Sequence, residues 1–190
     1  TKETDSAPGP GHCIDRRHFI GGLALGAGAM LTSFGPAAAQ QSSSANRTIV
    51  ITTPTGTIGR QLVANVLDSG ARLRLIARDP SRLSAQVRER AEVAQGSHSE
   101  LDVVNRAFED ADTVFWLCPP DDQAPTPMDA YVGFTRPASE AIRSQGVRRV
   151  VSVSALGRGT PMAARAGFVT ASLAMDDLIA STGVGFRALT

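Results

Sequence analysis

From Thr48 onward the hydrophobic positions switch repeatedly between a short continuous run and a helical period. Thr48-Ile49-Val50-Ile51-Thr52 is an apolar, β-branched run of strand type. The chain then turns through Thr53-Pro54-Thr55-Gly56, and a helical pattern follows with Ile58, Leu62, Val63, Val66 and Leu67 on one face. Asp68-Ser69-Gly70 ends that helix, since glycine is the usual residue just past a helix terminus. Leu73–Ala77 is a second strand, running into Arg78-Asp79-Pro80-Ser81-Arg82, and a helix continues to about Arg90. Glu92–Gln95 is a short third strand. Ser99-Glu100-Leu101-Asp102 opens a helix in the manner of a capping box, with Leu101, Val104 and Phe108 as its apolar stripe. Thr113–Leu117 lacks polar alternation, as a strand buried on both faces should.

The second half repeats the pattern. Asp121–Thr126 is a polar, proline-bearing loop. A helix is predicted from about Met128 to Gln145, kinked or split by Pro137 and stopped by Gly146. Arg149–Ser154 is a fifth strand. Thr160-Pro161 reads as an N-cap with proline at the first helical position, opening a helix to about Ser181 that Gly183 stops. Val184–Leu189 begins a sixth strand. Strands alternating with helices imply right-handed crossovers and an α/β fold with a doubly wound parallel sheet. Ligands of such sheets lie beyond the carboxyl ends of the strands.

Composition narrows the function. With 42% hydrophobic and 19% charged residues, the 190-residue chain has the makeup of a globular protein with one domain. A net charge of +1 gives no bulk-charge case for nucleic acid or for an anionic membrane as partner. Lys2 is the sole lysine. Before Thr48 the sequence has a different character. Arg16-Arg17 precedes a Gly/Ala/Leu-rich run from Gly21 to Phe34, and Ala37-Ala38-Ala39 offers a small-residue cleavage site. Residues 1–39 thus resemble a twin-arginine (Tat) export leader, with residues 40–46 as a serine-rich linker and 47–190 as the domain. This gives a periplasmic or secreted protein that meets the membrane only through its export signal. A Gly/Ala-rich tail or an uncleaved anchor is the alternative for the leader, and a cytoplasmic location the alternative for the protein. Cys13 and Cys118 fall on opposite sides of the cleavage site, so the mature chain would hold one thiol and no internal disulfide.

The first strand, the glycine turn and the helix start form a site for a nucleotide pyrophosphate. Free N–H groups of a first helical turn face the phosphate oxygens, and the helix dipole favours negative charge there. The candidate residues are Thr53, Thr55, Gly56, Thr57, Ile58 and Gly59. Arg78 lies nineteen residues beyond Gly59, near the spacing at which an acidic residue reads a ribose 2′-hydroxyl or an arginine accepts a 2′-phosphate. Asp79 follows it, so NADP is preferred and NAD stays open.

Four segments in order resemble the NmrA-like, atypical short-chain dehydrogenase/reductase family of NAD(P)-binding Rossmann proteins. They are Thr52–Gly59, Ala77–Leu83, Asp112–Pro120 and Gly146–Gly157. Members of that family are oxidoreductases, or dinucleotide-sensing regulators without catalysis. The resemblance implies that Cys118 and Pro119 form a wall of the cofactor pocket and that Ser154 lies at its edge. It also implies a segment after the sixth strand that closes over the substrate and that this sequence does not contain. The family's first glycine is Thr53 here. A β-branched residue in a left-handed turn is strained by roughly 1–2 kcal/mol.

Ser154 matches the catalytic serine of classical short-chain reductases, whose chemistry also needs a tyrosine with a lysine four residues on. The one tyrosine, Tyr131, is followed by Thr135, and no lysine follows Lys2, so that triad is absent. Catalytic residues therefore stay unassigned. Cys118 reads as an inert buried thiol, because no Lys or His neighbours it in the sequence. His98, the only histidine after the leader, reads as a structural or surface residue, and no metal site can be assembled. Asp176 and Asp177 read as a solvated acidic patch on the last helix. The expected partners are a dinucleotide and an unidentified small molecule.

Overall fold

A computed structural model describes residues 47–190. The leader expected over 1–39 and the linker over 40–46 lie outside the described residues. One parallel sheet runs through the domain. Its strands are β1 Thr48–Thr52, β2 Arg72–Ala77, β3 Glu92–Gln95, β4 Thr113–Trp116, β5 Arg149–Val153 and β6 Gly185–Leu189. Their order is β3-β2-β1-β4-β5-β6, and every pairing is parallel. The fold is the doubly wound α/β arrangement that the sequence pattern implies. The order reverses between β1 and β4, which pair from Ile49↔Thr113 to Ile51↔Phe115. A crevice opens at such a reversal because the connections leave β1 and β4 toward opposite sides.

Successive strand residues face opposite ways, so the sheet has a core on each side. Val50, Val114, Trp116 and Val150 pack with the helices α3 Leu101–Phe108, α4 Phe134–Ser144 and α5 Phe168–Ala180. Ile51, Leu73, Leu75 and Phe115 pack on the other face with α1 Thr57–Leu67 and α2 Ala85–Arg90. Burial on both faces explains why β1 and β4 read as unbroken apolar runs.

Several local expectations change. Ile58 is 45% exposed and does not join the inner face of α1, whose fully buried residues are Gly59 and Val63. The first turn of α1 lies past the end of β1, and there Gly59 meets the strand end. Leu101 is also exposed, and α3 turns Val103, Val104, Ala107 and Phe108 inward. The Ser99 capping box does not form. The Ser99 hydroxyl pairs with that of Ser97, and the Glu100 carboxylate takes the Ser97 N–H at 3.2 Å.

The long helices are interrupted for identifiable reasons. A π-helical turn at Asp129–Gly133 precedes α4. It ends at Gly133, the residue whose carbonyl Pro137 has no N–H to bond. The helix expected from Thr160 begins only at Phe168. The Thr160 hydroxyl does accept the Ala163 N–H, at 3.3 Å, but it starts a single 3-10 turn over Ala163–Arg165. Gly167, at φ +53°, breaks the path before α5.

Two buried charges tie the layers. Arg74 lies inside β2, and its Nη1 donates to the carbonyls of Arg106, Ala107 and Glu109 at 3.3, 2.8 and 2.7 Å. Its Nε meets Glu92 at 2.9 Å. A cation placed here satisfies the open carbonyls at the end of α3 and opposes the helix dipole. Asp112, just before β4, pairs with Arg148 and Arg149 and accepts from the Thr113 hydroxyl. Burial pushes its pKa up, but Thr113 and Arg149 outweigh that and hold the carboxyl below the usual range.

Replacing Arg74 by Met removes the donors while keeping the stem, and leaves buried carbonyls unmet. Urea denaturation should show a loss of about 2–4 kcal/mol.

Candidate active site at the strand ends

The carboxyl edge of the sheet is organised by the Leu117 peptide. β4 ends at Trp116, and where it parts from β1 a side chain continues the ladder: the buried Thr52 hydroxyl accepts the Leu117 N–H at 2.8 Å. The Leu117 carbonyl then receives the Thr53 hydroxyl at 3.0 Å and the His98 Nε2 at 3.2 Å. A carbonyl only accepts, so Nε2 carries the proton.

Thr53 has φ +54°, the left-handed turn that a glycine would adopt freely. Its strain of roughly 1–2 kcal/mol is offset by the hydrogen bond to Leu117, of about 1 kcal/mol. The hydroxyl is directed at β4. The Thr53 methyl lies 3.3 Å from where a Cβ on Gly56 would stand, and the Thr53 carbonyl accepts the Gly56 N–H at 3.1 Å. A Cβ on Gly59 would fall 2.1 Å from that same carbonyl, so only glycine lets α1 approach the strand end this closely.

Gly56 is the N-cap of α1, and the Arg60 N–H makes the first helical bond, to Gly56 O at 2.9 Å. No side chain caps the helix and no acidic residue lies in its first turn. The amides of Thr57, Ile58 and Gly59 precede the first helical bond, as open donors of a helix start do. That donor set fits a phosphate group.

A concavity of about 70 Å³ adjoins this corner, lined by Thr53, Pro54, Thr55, Arg78, His98 and Pro119 among others. Arg78 follows β2 and is exposed, with no carboxylate partner among the described residues. Asp79 is turned to its own loop, where one oxygen accepts the Ser81 N–H at 3.0 Å and the Ser81 hydroxyl at 2.6 Å. Those two bonds lower its pKa. The sequence reading missed Gly96 and Phe134, which line the same space. Gly96 sits at φ +140°, and a Cβ there would strike Val103 at 2.4 Å. A glycine directly after the short third strand was its only sequence signal.

His98 is buried, edge-on to Trp116 and Phe134 at ring separations of 5.1 and 4.7 Å. Burial pushes its pKa down to about 4, and the nearby Arg78 adds to the effect.

A second concavity of about 270 Å³ lies beyond β4 and β5, with Leu117, Cys118, Tyr131 and Ser154 in its walls. The Leu117–Pro119 segment thus serves both spaces. Cys118 is buried, its thiol pushed up to about 12 by desolvation and by Asp121, with Sγ 3.4 Å from Ala130 O. It is a protonated wall residue and no nucleophile. Thr135, in the place of the missing lysine, is buried and accepts from the Trp116 indole at 3.2 Å. Burial also raises the Tyr131 pKa, with Cys118 adding to it. Asp176 corrects the expectation of a solvated acidic patch. Its carboxylate is 1% exposed and accepts from Ser152 at 2.9 Å and from Ser154. The period of α5 turns Ser172, Met175, Asp176 and Ile179 inward, while Asp177 stays outside with Arg158.

The model of the NAD(P)H-binding family matches residues 54–186. Among solved structures, the chain is similar to the Citrobacter sp. triphenylmethane reductase complexed with NADP(H), at 19% identity and a TM-score of 0.61. It covers 74% of this chain and 48% of that one. A short-chain dehydrogenase/reductase superfamily protein from Agrobacterium tumefaciens with bound NAD is 21% identical, with a TM-score of 0.61 over 75% of this chain and 48% of that one. The NADPH-dependent quinone oxidoreductase of Escherichia coli, complexed with NADPH, is 17% identical, with a TM-score of 0.58 over 74% and 47%. The chain therefore spans about half the length of these structures. At such identities the likeness is one of fold. No curated protein sequence matches the chain.

Two outcomes follow from this geometry. Thr53→Val keeps the strained backbone and loses the bond to Leu117, so denaturation should show about 1–2 kcal/mol less stability, whereas Thr53→Gly should stay within about 1 kcal/mol of the parent. The folded pKa of His98, about 4, lies below its ordinary 6.5. Between those values the unfolded chain takes up a proton that the folded one refuses, so stability falls as pH drops from 6.5 toward 4. Melting at a series of pH values should show this fall, of up to ~3 kcal/mol, and His98→Gln should abolish it.

Proposed function

The chain belongs to the NAD(P)H-binding family, and from that premise we propose that it binds NADP in preference to NAD and serves an oxidoreductase acting on a small molecule. The diphosphate is held by Thr53, Thr55, Gly56, Thr57, Ile58 and Gly59. The observation that carries this reading is the uncapped start of α1, with its three open amides beyond a turn too tight for any side chain at Gly59. Arg78 reads the ribose 2′-phosphate. That it has no carboxylate partner among the described residues, with Asp79 held by Ser81, supports NADP. Cys118, Pro119 and Ser154 wall the nicotinamide side. The dinucleotide supplies the hydride when bound, and the chain's own residues orient it and exclude water. The resemblance of residues 1–39 to a twin-arginine leader supports action outside the cytoplasm, with export after the domain has folded around its cofactor.

A second reading, a dinucleotide sensor without catalysis, is favoured by one feature. Tyr131 has no lysine beside it, and Thr135 is occupied by Trp116. Hydride turnover over a panel of quinones and carbonyls separates the two, and silence across the panel favours the sensor.

Titration followed by nicotinamide fluorescence and thermal shift tests the first reading. NADPH should bind more tightly than NADH. Arg78→Ala should weaken NADPH about tenfold and leave NADH almost unchanged, the loss of one charge-assisted contact. Absence of any response to either dinucleotide overturns both readings.

A further inference from the structure

The 270 Å³ concavity beyond β4 and β5 holds a hydrogen-bond arrangement that the proposed cofactor role does not use. Ser154 leaves β5 with its N–H bonded to Leu189 O at 2.8 Å, which fixes its backbone. Its hydroxyl bonds Asp176 Oδ2, and Ser152 bonds Oδ1 of the same carboxylate at 2.9 Å. Arg158 Nη2 stands 3.5 Å from Oδ2 and supplies the countercharge. A carboxylate only accepts and a serine has one proton, so both serine protons are directed inward at Asp176. Ser154 Oγ, which lines the concavity, can therefore offer it lone pairs alone.

The other polar groups of the cavity are of a different kind. The Cys118 thiol is protonated and directed at Ala130 O. Ser172 is 5% exposed, lines the same space and has no hydrogen-bond partner among the described residues, so its hydroxyl is free to rotate. Tyr131 stands edge-on to Phe168 at 6.3 Å, and both rings line the cavity with Leu117 and Val153. The space is thus a largely apolar, aromatic-sided slot with one fixed acceptor and rotatable hydroxyls.

We infer that this slot takes a neutral aromatic alcohol, whose hydroxyl donates to Ser154, and that Asp176 is the positioning residue that makes Ser154 an acceptor. The inference rests on the oxidoreductase reading for its place in a reaction and names the substrate class of that site. A ligand with the same ring but no O–H leaves the lone pairs of Ser154 desolvated and unmet, and is rejected for that reason.

The test compares 4-fluorobenzyl alcohol with its methyl ether by fluorine NMR titration of the full chain. The parent protein should bind the alcohol about three- to tenfold more tightly, the worth of one neutral hydrogen bond. Ser154→Ala should abolish the preference. Asp176→Asn can donate to Ser154 and release its proton toward the cavity, so it should also reduce the preference. Circular dichroism establishes that each variant is folded, and if Asp176→Asn is not, Ser154→Ala decides alone. Equal affinity for the two probes, binding of neither, or a preference that survives Ser154→Ala overturns the inference. The NADPH titration of the parent protein is read separately. Its failure with the alcohol preference intact overturns the cofactor reading alone, and the reverse result overturns this inference alone.

Discussion

The structure depends on the backbone of one residue, Leu117. Its N–H and its carbonyl are both held by side chains from other parts of the chain: Thr52, Thr53 and His98. Backbone polar groups at a strand end must find partners if they are buried. Here two of those partners, Thr52 and Thr53, are the residues that lead into the turn to α1. The need to satisfy one residue's backbone at the end of β4 therefore sets the conformation of the turn at the end of β1.

This coupling explains why threonine can stand where a glycine is expected. A left-handed threonine is strained, and valine in its place would be strained without recompense. The hydroxyl returns about as much as the backbone loses, and it draws the side chain toward β4. The price of the arrangement is a histidine that must remain neutral, because burial against the rings of Trp116 and Phe134 leaves its cation unsolvated and outweighs the favourable Leu117 carbonyl. Beyond the same segment, Asp176 holds the Ser154 hydroxyl much as Leu117 holds that of Thr53. Both spaces at this edge are lined by hydroxyls whose direction is set by an acceptor in the interior.

Much of this was legible in the residues. The unbroken apolar runs at Ile49–Ile51 and Val114–Leu117 identified strands covered on both faces, and their alternation with helical periods implied the parallel sheet. Gly56 and Gly59 marked the tight approach of helix to strand. Errors came where a local pattern competed with a distant partner. Ile58 and Leu101 fit an apolar helical period, yet each stands on the outer side of its first turn, where Gly59 in α1 and Val103 and Val104 in α3 take the inward positions. Ser99 and Asp102 had the spacing of a capping box, but Ser97 took the serine hydroxyl first. Asp176 beside Asp177 resembled a solvated pair, and only the packing of α5 against β5 divides them into one buried and one exposed carboxylate.

The sequence by itself determined the order and type of the elements, the parallel sheet and the glycine turn at its carboxyl edge. These follow from periodicity and from backbone freedom, which are properties of neighbouring residues. The tertiary structure decided what each polar side chain is bonded to. Thr52 and Leu117 are 65 residues apart, and Ser154 and Asp176 are 22 apart. A hydrogen bond between such partners exists only once the fold has brought their elements together, and no pattern of adjacent residues encodes its direction.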